Sequence, residues 1–282
     1  TPQFIQDAFK AASNSPSYPV TMGTPELREA IATWAKAQLG ASGDFGVLPL
    51  IGSKELVAWL PTILESTHVL YPEVAYPTYL VGSMIAKTKS TTVDFDARNW
   101  PTADLAWVNT PSNPTGRVHS DSELINAIEW ARKGGVVVAD ECYLEFGNGI
   151  SPKSILSLTG GNNKNILAIH SLSKRSSIAG YRAAMMIGDK DLIAQILEVR
   201  KHAGMMVPLP VQQAMIAALS DNKHVAEQRG IYNARKAKVR EAISKHGFQV
   251  EHSEAGLYLW ATRNESAWES VAWFADRGIL VA

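Results

Sequence analysis

Ile166-Leu167-Ala168-Ile169-His170-Ser171-Leu172-Ser173-Lys174 runs from an apolar stretch straight into hydroxyls and a lysine, and Gly180-Tyr181-Arg182 follows close behind. The apolar run predicts a buried strand, and the strand delivers Lys174 between polar neighbours. Such an arrangement suits a phosphorylated aldehyde ligand. The amine of Lys174 can form a Schiff base with the aldehyde. Ser171 and Ser173 offer hydroxyls, and Ser171 with Arg182 can hold the phosphate, the arginine as a bidentate fork. Read alone, the stretch is equally compatible with a surface lysine that happens to follow a strand.

Outward from this stretch, apolar runs alternate with helical patterns. Val47 to Ile51 precedes a helix from Lys54 to Leu64, and His68 to Tyr71 precedes one from Tyr79 to Lys87. Leu105 to Val108 leads, after a loop, to a helix from Asp121 to Lys133. Val136-Val137-Val138-Ala139 and Ala183 to Ile187 are apolar throughout, as strands covered on both faces should be. Strand–helix alternation predicts an α/β fold, a mainly parallel sheet sandwiched by helices. Beyond residue 188 the pattern changes. Helices are expected over Asp191–His202, Val211–Leu219 and Lys223–Lys245, then an antiparallel pair from Phe248–Glu251 and Leu257–Trp260, a helix over Ala267–Asp276 and a last strand. The expected division is a large unit over 1–188, with an N-terminal arm and helix, and a smaller α+β unit over 189–282.

The chain has 282 residues, 46% hydrophobic and 19% charged, so a substantial core is expected and disorder is not. Lys+Arg and Asp+Glu both number 27, and no basic stripe suggests nucleic acid. No run is long and apolar enough for a membrane span, and no leader is read at the start. The single cysteine, Cys142, excludes an internal disulfide and fits a reducing compartment, so the expected location is cytoplasmic. Thr1-Pro2-Gln3-Phe4-Ile5 enters a helical pattern directly, and Arg277 to Ala282 ends in an apolar run. Both ends are therefore expected to be internal to a longer chain.

Open parallel sheets build their sites beyond the carboxyl ends of the strands. Several polar segments follow apolar runs and should converge there. Gly52-Ser53-Lys54-Glu55 opens a helix whose free N–H groups, with the Ser53 hydroxyl, can seat a phosphate; an ordinary serine cap reads the same way. Asn109-Thr110-Pro111-Ser112-Asn113-Pro114-Thr115-Gly116 makes a tight turn that would aim the Asn113 amide across the sheet edge, although the prolines also suit a purely structural turn. Asp140 ends the most apolar strand, and a buried carboxylate needs a cationic partner or backbone donors. A protonated pyridine nitrogen is such a partner. Tyr143, three residues on, can donate to a phenolate oxygen, and Tyr76 can stack on a ring or simply sit in the core. Together with Lys174 these features point to pyridoxal 5′-phosphate, with no metal required.

The set resembles the fold-type I, class I and II pyridoxal-phosphate aminotransferases over nearly the whole chain. The resemblance implies that Lys174 is the Schiff-base lysine, Asp140 the partner of the ring nitrogen, and Tyr143 and Asn113 the partners of the phenolate oxygen. It implies phosphate contacts from Ser171 and Arg182, the latter eight residues after the lysine. Tyr18, five residues before Gly23, matches the tyrosine that reaches the partner subunit's phosphate, which implies a homodimer. The segments Ser171 to Ser176, Lys201 to Pro208, Trp107 to Asn109 and Gly116 to Ser120 are similar to actinobacterial-type N-succinyldiaminopimelate aminotransferases of lysine biosynthesis. That likeness implies amino transfer from N-succinyl-LL-2,6-diaminopimelate to 2-oxoglutarate, both small molecules. The family's carboxylate-binding arginine would fall beyond Ala282, and neither Arg263 nor Arg277 is assigned to it. The same cofactor residues would serve an aspartate or aromatic aminotransferase or a C–S β-lyase. A non-catalytic cofactor-binding regulatory domain is the alternative outside enzymes, although no helix-turn-helix module accompanies it here.

Overall fold

The computed structural model describes residues 1–281. An N-terminal helix α1 (Gln3–Ala11) is followed by α2 (Pro25–Trp34), β1 (Gly46–Ile51), α3 (Ser53–Ile63), β2 (His68–Pro72), α4 (Thr78–Ile85) and β3 (Lys89–Val93). Then come β4 (Leu105–Asn109), α5 (Asp121–Ala131), β5 (Val136–Asp140), β6 (Ile166–Ser171), the short α6 (Leu172–Arg175) and β7 (Ala183–Gly188). The chain ends with α7 (Lys190–His202), α8 (Leu209–Leu219), α9 (Lys223–Ser244), β8 (Gln249–Glu251), β9 (Trp260–Thr262) and α10 (Ala267–Ala275).

The main sheet has seven strands in the order β1-β7-β6-β5-β4-β2-β3. Only β7 runs against its neighbours, antiparallel to both β1 and β6. Side chains leave successive strand residues on opposite faces, so each strand feeds two cores. Val137 and Ala139 enter one apolar cluster and Val138 the other; Ile166 and Ala168 part from Leu167 and Ile169 in the same way. Helices α1, α2, α5 and α8 cover the first face, and α3, α4 and α7 the second. Local chemistry sets several helix starts. Ser120 and Glu123 form a capping box on α5, and Thr24 accepts the Leu27 N–H ahead of Pro25 on α2.

Helices α7 and α8, expected in the smaller unit, bury Ile193 and Ile196 in the second cluster and Val211, Met215 and Leu219 in the first. The antiparallel pair forms three residues later on its second strand than expected. Glu251 faces Trp260 and Gln249 faces Thr262. The reason is the loop between the strands: Ser253 and Ala255 donate their N–H groups to Thr115 O and Gly116 O at 3.0 Å each, which holds Leu257 to Leu259 out of the ladder. The final strand does not form over Arg277–Val281 either. Gly278 turns left-handed (φ 69°) and the Ile279 N–H returns to Phe274 O at 3.0 Å, so the chain closes the end of α10. Ala282, the last residue of that expected strand, lies outside the described residues.

Candidate active site

Strands β4, β5 and β6 end on Asn109, Asp140 and Ser171, side by side at one edge. Strand β1 runs parallel to them and delivers Gly52 and Ser53 at the same edge. Because β7 is antiparallel, its first residues begin where the others end, and Arg182 arrives there too. A cavity of about 270 Å³ opens at this edge. Lys174, Asp140, Tyr143, Asn113, Ser53 and Lys54 line it, as do Tyr76, Ser171, Ser173 and Arg182. Two larger cavities, about 600 Å³ beside Phe4 and His224 and about 900 Å³ beside α9 and α10, contain none of these residues. Convergence of polar groups, not size, marks the site.

One end of the cavity offers donors that could seat an anion. Gly52 sits at φ 75° and ψ 153°, a conformation essentially confined to glycine. A Cβ there would fall 2.0 Å from Nη2 of Arg182. The bare glycine lets the guanidinium lie across the first turn of α3, next to Ser53 and the free N–H groups of the helix start. Arg182 is itself left-handed (φ 57°), and its Nη1 donates to Ala179 O at 2.8 Å, which fixes the fork. Ser171 caps α6 by accepting the Ser173 N–H at 3.2 Å, and that cap places Lys174 on the cavity wall.

The opposite wall carries the carboxylate. Burial pushes Asp140 above the ordinary carboxylate range, opposed by hydrogen bonds from Cys142 and Tyr79. The Tyr79 hydroxyl donates to Oδ2 at 2.9 Å and the Cys142 N–H to Oδ1 at 3.2 Å. A buried carboxylate held by neutral donors alone is poised for a cation. Burial, then the neighbouring Tyr258, pushes the Tyr143 hydroxyl far up, so it stays a donor; the two rings meet edge to face at 6.3 Å. Asn113 is aimed by Asn109, whose Oδ1 accepts the Asn113 N–H at 2.7 Å and whose Nδ2 donates to Asp140 O at 3.1 Å. Tyr76 stands edge-on to Tyr79 at 5.9 Å, with Nζ of Lys54 5.6 Å from its centroid. The donor set therefore fits a flat ring with a phosphate at one end, a cationic ring nitrogen at another and an aldehyde near Lys174.

Tyr18 is the one candidate the structure keeps away from the cavity; it is 93% exposed. Tyr258, Cys142 and Asn109, to which the sequence assigns no role in the site, also line the cavity, and Tyr79 stands directly behind it. The Asn109 contact could have been read from the turn it begins. Tyr258 could not, since only the docked 253–256 loop brings it across. Arg263 pairs with Glu265, and Arg277 lies over the Trp273 ring, both outside the cavity. Among the described residues, no group of three or more His, Cys, Asp or Glu side chains is placed to hold a metal ion. No described helix is long and apolar enough to cross a membrane.

The sequence model for the family Aminotransferase class I and II matches residues 2–281. The chain is 48% identical over 291 residues to 4-dedimethylamino-4-oxo-anhydrotetracycline transaminase OxyQ of Streptomyces rimosus, covering 100% of this chain and 81% of that protein. It is 50% identical over 287 residues to the probable aminotransferase Rv1178 of Mycobacterium tuberculosis, covering 99% and 69%. Its fold superposes with a TM-score of 0.89 on a structure from Thermus thermophilus described as a probable N-succinyldiaminopimelate aminotransferase, at 25% identity and covering 100% and 82%. This chain belongs to the class I and II aminotransferases, enzymes that depend on pyridoxal 5′-phosphate.

Proposed function

We propose that the cavity between Gly52 and Asp140 binds the cofactor and that the chain transfers the amino group of N-succinyl-LL-2,6-diaminopimelate to 2-oxoglutarate, a step of lysine biosynthesis. The observation that carries the site reading is the convergence of Lys174, Asp140, Asn113, Tyr143 and Arg182 on one cavity of about 270 Å³. The substrate reading rests on the wording of the segments around Lys174 and Lys201 and on the Thermus thermophilus likeness.

When bound, the cofactor supplies an aldehyde that carries the amino group and a ring that withdraws electrons from the donor's α-carbon. The protein's part is to hold, orient and move protons. Lys174 would hold the cofactor's aldehyde through its amine and, when free, would move the proton at the donor's α-carbon as general acid and base. Asp140 pairs with the protonated ring nitrogen, its burial making a desolvated cation the favoured partner. Tyr143 and Asn113 donate to the phenolate oxygen. Ser53, the Lys54 N–H, Ser171 and Arg182 would receive the phosphate, Ser173 would stand beside the cofactor, and Tyr76 would stack on the ring. Tyr18, left exposed, reaches the phosphate of a second copy, so the working unit is a homodimer, located in the cytoplasm.

The test is turnover with 2-oxoglutarate as acceptor and N-succinyl-LL-2,6-diaminopimelate, aspartate or phenylalanine as donor. The succinylated donor should have the highest specificity constant. If aspartate or phenylalanine wins by more than about tenfold, roughly 1.4 kcal/mol in the transition state, the substrate reading fails and the transaminase assignment stands. The 48% identity to OxyQ favours one second reading, a bulky cyclic ketone as acceptor, which the same assay scores by substituting that ketone for 2-oxoglutarate.

A further inference from the structure

Tyr79, the second residue of α4, has no surface exposed and lies behind the cavity wall. Its ring stacks on Trp107, with centroids 5.0 Å apart and planes 21° apart. Its hydroxyl donates to Oδ2 of Asp140 at 2.9 Å. A buried tyrosine needs one acceptor, and a backbone carbonyl would serve; here the acceptor is the carboxylate of the cavity. The other oxygen of Asp140 takes the Cys142 N–H at 3.2 Å. Two donors from two elements, one on each oxygen, stop the carboxylate from turning about its Cβ–Cγ bond. Phenylalanine would fill the same space and keep the Trp107 stack, so the hydroxyl's contribution lies in the bond to Asp140.

We propose that Tyr79 is a positioning residue of the reaction: its hydroxyl holds the Asp140 carboxylate in the orientation that meets the cofactor's ring nitrogen. The proposal rests on Asp140 being the partner of that nitrogen. Burial raises Asp140, and the Tyr79 hydrogen bond works against that rise, favouring the ionised form that a ring cation requires. Burial also pushes Tyr79 itself far up, so it remains a donor.

The experiment is a double-mutant cycle on the dimeric protein with Tyr79→Phe, Asp140→Asn and the double variant. The readouts are the dissociation constant of pyridoxal phosphate from the apoprotein and kcat and KM of the reconstituted enzyme. Tyr79→Phe should weaken cofactor binding by at least about tenfold, the scale of a hydrogen bond to a charged group, and lower kcat with little change in KM. In the Asp140→Asn background the same change should shift the dissociation constant less than about twofold, because the neutral amide leaves no anionic partner of the ring nitrogen to be oriented. Equal weakening in both backgrounds would mean that Tyr79 acts through packing, and it overturns the proposal. If Asp140→Asn weakens binding and Tyr79→Phe does not, the proposal alone falls. If Asp140→Asn leaves binding unchanged, the reading of Asp140 falls and the proposal with it. Should Tyr79→Phe fail to fold, 3,5-difluorotyrosine at position 79 keeps the hydroxyl and alters its acidity. A change above about twofold in kcat or the dissociation constant then supports the proposal, and no change overturns it.

Discussion

Gly52→Ala separates backbone strain from loss of the phosphate seat. At φ 75° and ψ 153° an alanine costs about 1–3 kcal/mol of stability. Its Cβ would lie 2.0 Å from Nη2 and 2.7 Å from Cζ of Arg182. A guanidinium ends a flexible side chain, so the clash is relieved when Arg182 swings away, at little further cost in stability. On the proposed assignment, the displaced fork would no longer meet the phosphate. A charge-assisted contact of this kind contributes about 1.5–3 kcal/mol, so cofactor affinity should fall by about 10- to 100-fold. Gly149→Ala is the control. It has φ 76° and nothing within 4 Å of its added Cβ, and it lies outside the cavity. Thermal unfolding of the apoproteins should show both variants destabilised, and titration with pyridoxal phosphate should show only Gly52→Ala weakened. Binding by Gly52→Ala within about twofold of the wild type would refute the assignment of Gly52 and Arg182 to the phosphate.

Three further outcomes follow from the same geometry. Lys174→Ala should lose nearly all turnover while apoprotein unfolding stays within about 0.5 kcal/mol of wild type, since a half-exposed side chain on the cavity wall contributes little packing; activity assays with calorimetry check both. Tyr18→Phe should loosen the cofactor without moving its absorbance maximum, because the hydroxyl is expected at the partner's phosphate; equal affinity, or a fully active monomer in sedimentation, removes that role. Acid should destabilise the fold through His119, which burial and the nearby Arg117 push down to about 4. The folded state holds His119 neutral while the unfolded chain protonates near 6.5, so its contribution is present above about pH 6.5 and lost as pH falls toward 4. Denaturant unfolding should show a slope in that window that is shallower by up to about 1.4 kcal/mol per pH unit in His119→Gln.

Much of the fold was legible because buried strands announce themselves: 136–139, 166–169 and 183–187 are apolar without break. Lys89-Ser90-Thr91-Thr92-Val93 carries no apolar run that marks it as a strand. It lies at the sheet's edge, pairs only with β2, and carries the polar side chains that an edge tolerates. The sense of β7 was equally hidden, since an apolar run carries no direction, yet that reversal is what brings Arg182 to the edge where Ser53 stands. The Thr24-Pro25 pair is a helix-start signal present in the sequence itself. In the site, residues that end or follow strands could be named from order and chemistry alone. Tyr79 and Tyr258 could not, since a tyrosine inside a helical pattern and one beyond a docked loop have no local mark of their destination. The shifted register of β8 and β9 had the same origin, a tertiary tie between Ser253 and Thr115 that local pattern does not encode.

Both Lys54 and Lys174 line the cavity, so the chemistry of the site turns on which amine carries the cofactor. Borohydride reduction of the cofactor-loaded protein, followed by proteolysis and mass spectrometry, locates that amine directly. The pyridoxyl group should be found on the peptide containing Lys174, and on none containing Lys54. Recovery of the label on Lys54, or of unlabelled Lys174 from fully reduced protein, would contradict the account.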